Sequence, residues 1–243
     1  MAEDLLGSLG RRTRAYRLAR GLTIREVAER SGVSPRFLVQ LESGAGNISV
    51  RRLADVAGAL ETTPAALLTD TAAPAPSMVA LLGLRGAGKT TIGRKLAKRR
   101  RVQFVELDRR IEGAADLSLG EIFALHGEDY YRRLEREVLQ EVLNDARPMI
   151  LATGGGIVAS PDTFAMLRRS AVTVWLRATP EDHWNRVVRQ GDRRPMADHP
   201  QAMADLRSLL AAREPLYALA DHTVDTSATS VDKAVAAIEQ ALQ

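Results

Sequence analysis

The stretch Gly83-Leu-Arg-Gly86-Ala-Gly88-Lys89-Thr90 constrains this chain more than any other. It follows Met78-Val-Ala-Leu-Leu82, an apolar run of strand length, and precedes Thr91–Arg100, where Ile92 and Leu96 recur at helical spacing. Strand, glycine-rich loop and helix in that order form the context in which such a loop binds phosphate. The glycines let successive backbone N–H groups converge on oxyanions, and the helix N-terminus adds partial positive charge. Gly83, Gly86 and Gly88 would shape the cradle, with Thr90 and Thr91 opening the helix beneath the phosphates. Lys89 would reach the β- and γ-phosphates, and the Thr90 hydroxyl would ligate Mg²⁺. The loop specifies phosphate and leaves the reaction open.

At 243 residues there is room for two domains, and 45% apolar with 26% charged residues is enough to build real cores. No apolar run is long enough to span a bilayer, and Glu3 and Asp4 open the chain without a signal-peptide pattern. Zero cysteines exclude disulfides and thiolate metal sites and fit a reducing, cytoplasmic setting. A net charge of +4 permits nucleic-acid binding without arguing for it.

Residues 1–70 read as an all-α domain of five short helices. Thr23-x-x-Glu26 is a capping box opening the second helix, and Gly32 makes the turn. Ser34 caps a third helix with Pro35 at its first position, and Phe37, Leu38 and Leu41 follow at helical spacing. A fourth helix starts from Ser49 and a fifth from Pro64. Two helices joined by a tight glycine turn form the helix-turn-helix arrangement. Glu26-Val-Ala-Glu-Arg-Ser-Gly-Val-Ser34 followed by Leu41-Glu-Ser-Gly44 resembles the Cro-type (XRE-like) repressors over residues 8–68. The resemblance implies that the third helix enters the major groove. Arg36 and Gln40 are then placed to read base edges, Phe37 lies among the DNA-facing residues, and Thr23, Ser34, Ser43 and Asn47 suit phosphate contacts. Ten arginines against eight carboxylates make this domain only weakly positive, so a homodimer on a two-fold operator is the expected route to affinity.

Thr71-Ala-Ala-Pro-Ala-Pro-Ser77 reads as a short, semi-stiff linker. From residue 78 to 243, apolar strand-like runs alternate with helical spacing, the pattern of an α/β domain with a parallel sheet. Arg101-Val-Gln-Phe-Val-Glu-Leu-Asp108 reads as a strand ending in two acids, Glu106 and Asp108. Residues 118–144 read as two helices burying Ile122, Phe123 and Tyr131, among others. Met149-Ile-Leu-Ala-Thr reads as a strand breaking into Gly154-Gly155-Gly156, where a ligand can approach bare backbone.

These motifs recur in the order found in shikimate kinase, a small enzyme resembling the nucleoside-monophosphate kinases. They are the glycine loop, Asp108 with Ile111-Glu112, Gly127-Glu-x-x-Tyr-Arg132-x-x-Glu135, Thr153-Gly-Gly-Gly156, Arg193-Arg194-Pro195, Arg213-x-Pro-Leu-Tyr217 and Val224-Asp-Thr-Ser227. The resemblance implies that Asp108 acts as base or orienter for a sugar-acid hydroxyl. It implies also that Arg132 and Arg213 clamp a ring carboxylate and that Gly154, Gly155 and Gly156 line the ring pocket. Lys89 and Arg194 would stabilise the transferring phosphoryl group of ATP, and Asp225 would border adenine. Glu106 stands where the family usually carries the aspartate that holds Mg²⁺ through water, and Tyr131 replaces a phenylalanine.

The order of the two domains resembles the benzoyl-CoA-responsive repressors of benzoate and aromatic catabolism. That resemblance implies a ligand-responsive regulator that binds operator DNA and takes benzoyl-CoA as effector. The alternative is an active shikimate kinase with an accessory DNA-binding domain.

Overall fold

A computed structural model describes residues 5–69, 78–145, 147–189, 201–227 and 229–242. The chain divides into two compact units, one dominated by residues 1–78 and the other formed by 79–168 with 172–241. The linker expected at 71–77 and the arginine-rich loop carrying Arg193 and Arg194 lie outside the described residues.

The first unit contains α1 (Leu5–Ala19), α2 (Ile24–Ser31), α3 (Pro35–Glu42), α4 (Val50–Ala59) and α5 (Pro64–Leu68). Local chemistry fixes each start. Thr23 and Glu26 complete the capping box of α2, while Ser34, Ser49 and Thr63 each accept from the backbone N–H three residues on, in the helix they open. Gly32 ends α2 in the left-handed conformation, at φ 67°, and its N–H donates to Ala28 O. Leu38, Leu41, Val56, Ala57, Leu60 and Leu67, all 0–1% exposed, form the core of this unit. Beside it the Arg17 guanidinium donates to both oxygens of Glu42, at 2.6 and 2.7 Å, and to Leu22 O at 3.0 Å.

The second unit is a five-stranded sheet with helices. Its elements are β1 (Met78–Leu82), α6 (Lys89–Arg100), β2 (Gln103–Glu106), α7 (Leu107–Ala115), α8 (Leu119–Leu143), β3 (Met149–Ala152), α9 (Pro161–Ser170), β4 (Val172–Arg177), α10 (Pro180–Arg189), α11 (Ala202–Tyr217), β5 (His222–Asp225) and α12 (Val231–Ala241). A single 3₁₀ turn, Ile157–Ala159, follows the triple glycine. The strands run in the order β2-β3-β1-β4-β5, with β1/β4, β2/β3 and β4/β5 parallel. Every residue of β1 and β3 is buried, the continuous apolar reading of strands covered on both faces. Because β1 is flanked by a strand from each direction of winding, the glycine loop after it opens at the switch point where such sheets bind ligands.

Two expectations change. Asp108 lies in the first turn of α7 and not at a strand end. The strand stops at Glu106, and that residue makes no side-chain cap hydrogen bond, so no capping signal announces the helix. Phe123 is 44% exposed, its ring set against Tyr131 at a centroid distance of 4.7 Å. The two helices expected over 118–144 are present, meeting at a kink where Gly127 takes φ 75° and ψ −178°.

Candidate functional site

The glycine loop leaves β1 and runs directly into α6. Gly86 sits at φ 83°, and a Cβ there would lie 2.6 Å from His183 O. His183 itself is buried, and burial pushes its imidazole pKa down. Its Nδ1 lies 2.8 Å from Arg85 O, and since a carbonyl only accepts, Nδ1 carries the proton. The loop is thus braced from α10. Replacing Gly86 with alanine is expected to cost about 1–3 kcal/mol of stability in the second unit through backbone strain and this clash. Chemical denaturation checks this, and an unchanged midpoint would contradict it.

Lys89 Nζ donates to Gly83 O at 2.6 Å and Leu84 O at 3.1 Å, folding back over the loop it belongs to. Desolvation lowers its pKa to about 8; Arg85 adds to the fall and Asp108 opposes it. Below about pH 8 the ammonium is therefore charged, and above it the free protein has lost that proton. Phosphate oxygens favour the charged form, so binding must take up a proton above pH 8 and affinity must decline as pH rises through that value. Calorimetry at pH 9 in two buffers of different ionisation enthalpy should show this uptake, and buffer-independent heats would contradict it.

A cleft of about 290 Å³ opens beside the loop, lined by Gly86, Gly88, Thr91, Arg186 and Thr226, among others. Arg186 donates to Gly86 O at 3.3 Å, Thr226 Oγ1 at 3.1 Å and Thr226 O at 2.6 Å, tying the loop to the end of β5. Sequence reasoning did not pick out Arg186 or Thr226; an arginine in the last turn of a polar helix carries no distinguishing signal. Asp225, expected to border a base, does not line this cleft. It is held instead by Arg177 at 3.0 Å and by the Ser227 N–H at 2.8 Å.

On the other side of the loop lies a pocket rich in acids and arginines. Asp108 Oδ1 is buried and, among the described residues, has no hydrogen-bond partner. Desolvation raises the Asp108 pKa, with Lys89 pulling the other way and Glu112 adding to the rise. A Cβ on Gly154 would meet Asp108 Oδ1 at 2.9 Å, Tyr131 Oη at 3.1 Å and Glu135 Oε1 at 3.2 Å, so three oxygens converge on this bare backbone. Tyr131 donates to Glu135 Oε1 at 3.1 Å, and burial raises the pKa of both groups. Arg132 Nη1 donates to Glu135 Oε2 at 2.9 Å, and its other edge is held by Glu128, with Nη2 at 2.9 Å from Oε1. The guanidinium ends pack on Gly156, where a Cβ would lie 2.7 Å from Nη2. Arg213 Nη1 and the Tyr217 hydroxyl both donate to Gly155 O, at 3.1 and 2.6 Å. Asp108, Arg132, Arg213 and the three glycines are therefore brought to one place, as the sequence expected. Glu135 and Tyr217, which fix them, stand in the family motifs but were given no role in the sequence.

Glu106 accepts the Thr90 hydroxyl at 2.6 Å and pairs with Arg109 at 3.1 Å and Arg94 at 3.4 Å. Among the described residues no cluster of three or more metal-ligating side chains exists. One hydroxyl and one carboxylate fit Mg²⁺, which takes few protein oxygens and completes its shell with water and substrate phosphates.

Comparison with known proteins follows this geometry. The shikimate kinase family model matches residues 85–243. The chain belongs to the shikimate kinase family. Shikimate kinase of Nitrobacter winogradskyi is 46% identical over 153 residues, covering 63% of this chain and 71% of that protein. That of Symbiobacterium thermophilum is 40% identical over 167 residues, 68% of this chain and 95% of that one. Shikimate kinase from Acinetobacter baumannii in complex with shikimate superposes with a TM-score of 0.62 at 32% identity, covering 67% of this chain and 90% of that one. The helix-turn-helix family model matches residues 14–67, ahead of the shikimate kinase region.

On the helix-turn-helix unit, Arg36, Gln40, Ser43 and Asn47 are exposed, as are the caps Thr23 and Ser34. Phe37, expected to face DNA, instead turns towards the helical core and is partly buried there. It stands four residues before the fully buried Leu41, on the same stripe of α3. The hydroxyls of Thr23 and Ser43 donate within their own turns, to Glu26 Oε2 at 2.8 Å and Gln40 O at 2.9 Å.

Proposed function

We propose that the chain is a shikimate kinase joined to a DNA-binding domain, transferring the terminal phosphoryl group of ATP to a ring hydroxyl. The observation that carries this is the Asp108 oxygen, buried beside Lys89 and Gly154 and without a partner among the described residues. A buried carboxylate oxygen left unpaired costs free energy until a donor arrives, and a ligand hydroxyl is such a donor. A bare phenyl ring is not.

The chemistry follows from the residues. Arg132 and Arg213 hold the ring carboxylate, which fixes the ring against the glycines and turns one hydroxyl to Asp108. Asp108 accepts that hydroxyl's proton as its oxygen bonds to phosphorus. The bond from phosphorus to the bridging oxygen breaks, and that oxygen leaves on the nucleoside diphosphate. Lys89 and the loop amides hold the phosphate oxygens as charge shifts among them. Mg²⁺, held by Thr90 and by Glu106 through water, would neutralise charge on the same oxygens.

A second reading has an observation of its own. Glu106, a methylene longer than aspartate, takes the Thr90 hydroxyl directly and also engages two arginines. A phosphate site less committed to metal suits an effector pocket, and the helix-turn-helix unit then suits a dimeric repressor released by benzoyl-CoA. Titration calorimetry of the full chain with shikimate, benzoate and benzoyl-CoA separates the readings. Shikimate should bind and the other two should not. Tight binding of benzoyl-CoA alone, with release of duplex DNA in a mobility shift, would favour the repressor.

A further inference from the structure

The outward face of α3 carries Arg36, Val39, Gln40 and Ser43, all exposed and spaced one helical turn apart or one residue less. Val39 is 47% exposed, although Leu38 beside it is 1% and Leu41 0%. Its two polar neighbours are free to act. Among the described residues the Arg36 guanidinium and the Gln40 side-chain amide have no hydrogen-bond or ion-pair partner, whereas Arg17, Arg20 and Arg25 are all paired. An unpaired arginine and an unpaired glutamine on one helix face are the two side chains that read guanine and adenine bidentately in the major groove. The apolar group between them matches the one apolar feature of that groove, the C5-methyl of thymine.

Resting on the DNA-binding reading, we infer that Val39 is a specificity-determining residue that packs on a thymine methyl in each half-site. The helix rise places Val39 about 4.5 Å along the axis from Arg36, against about 3.4 Å per base pair. The thymine therefore lies within one or two base pairs of the guanine that Arg36 reads. Phe37, turned to the core, takes no part.

The test uses the full chain. Its preferred duplex is first selected from a random library, and each thymine is then replaced by deoxyuridine, which lacks only the methyl, at both symmetry-related half-site positions together. One position should weaken binding about fourfold per half-site, the value of one buried methyl. Val39→Ala should lose the same amount on the thymine duplex and nothing more on the deoxyuridine duplex. Because the side chain is exposed, the variant should melt as the wild type does. Equal affinity for thymine and deoxyuridine at every position would overturn the assignment. So would a Val39→Ala loss of equal size on both duplexes. If no duplex is enriched at all, the DNA-binding reading fails and takes the thymine contact with it.

Discussion

Replacing Asp108 with asparagine is expected to lower phosphorylation of shikimate by about 10²–10⁴-fold, the range for removing a general base. Asparagine keeps the shape and one acceptor oxygen, so ring binding should persist and the loss should fall on kcat. The first turn of α7 carries Asp108 into the sheet's carboxyl edge, and its Oδ1 finds no donor there among the described residues. Burial raises its pKa while Lys89 restrains the rise, which poises the carboxylate to take a proton and still be ionised beforehand. The acid limb of the rate profile should therefore lie above the usual aspartate range. DNA affinity should be untouched. A coupled assay of ADP release checks the first claim, and full activity in D108N would show that this carboxylate is not the base.

The second large effect concerns the helical unit. Arg17 is 1% exposed and Glu42 8%, and their two short hydrogen bonds form a buried pair. Removing one member of such a pair leaves a charge without compensation and costs about 3–5 kcal/mol. A unit of this size commands only about 3–10 kcal/mol in total. Glu42→Ala should accordingly unfold most of the helical unit at ordinary temperature. Duplex binding should vanish while kinase activity remains, and calorimetry should lose one transition of two. Pairing Arg17→Met with Glu42→Leu should recover most of the stability, because neither charge is then stranded. If Glu42→Ala melts like the wild type, the pair contributes little and the core alone carries the fold.

Local signals made much of this structure legible. Thr23, Ser34, Ser49 and Ser118 each cap the helix that their sequence context announces, because a cap is made within three residues. The glycine loop was legible for the same reason. What stayed hidden depends on residues distant in the chain. Glu135 closes a family motif but shows no role until the fold buries it against Tyr131 and Arg132. Arg17 reads as one of several arginines in α1 until Glu42, 25 residues away, meets it. The helix α7 was hidden differently, since no cap or turn residue separates it from β2. The placing of Phe37 failed because a helix of eight residues allows two neighbouring stripes, and tertiary packing chose between them.

The most direct test of the account follows phosphorus itself. The full chain is incubated with ATP, Mg²⁺ and shikimate, and ³¹P NMR is recorded over time. The account predicts a phosphomonoester resonance and ADP rising in equal amounts, both abolished in Lys89→Ala. ATP that stays intact or goes only to inorganic phosphate, in a chain whose grip on duplex DNA is released by benzoyl-CoA, would contradict it.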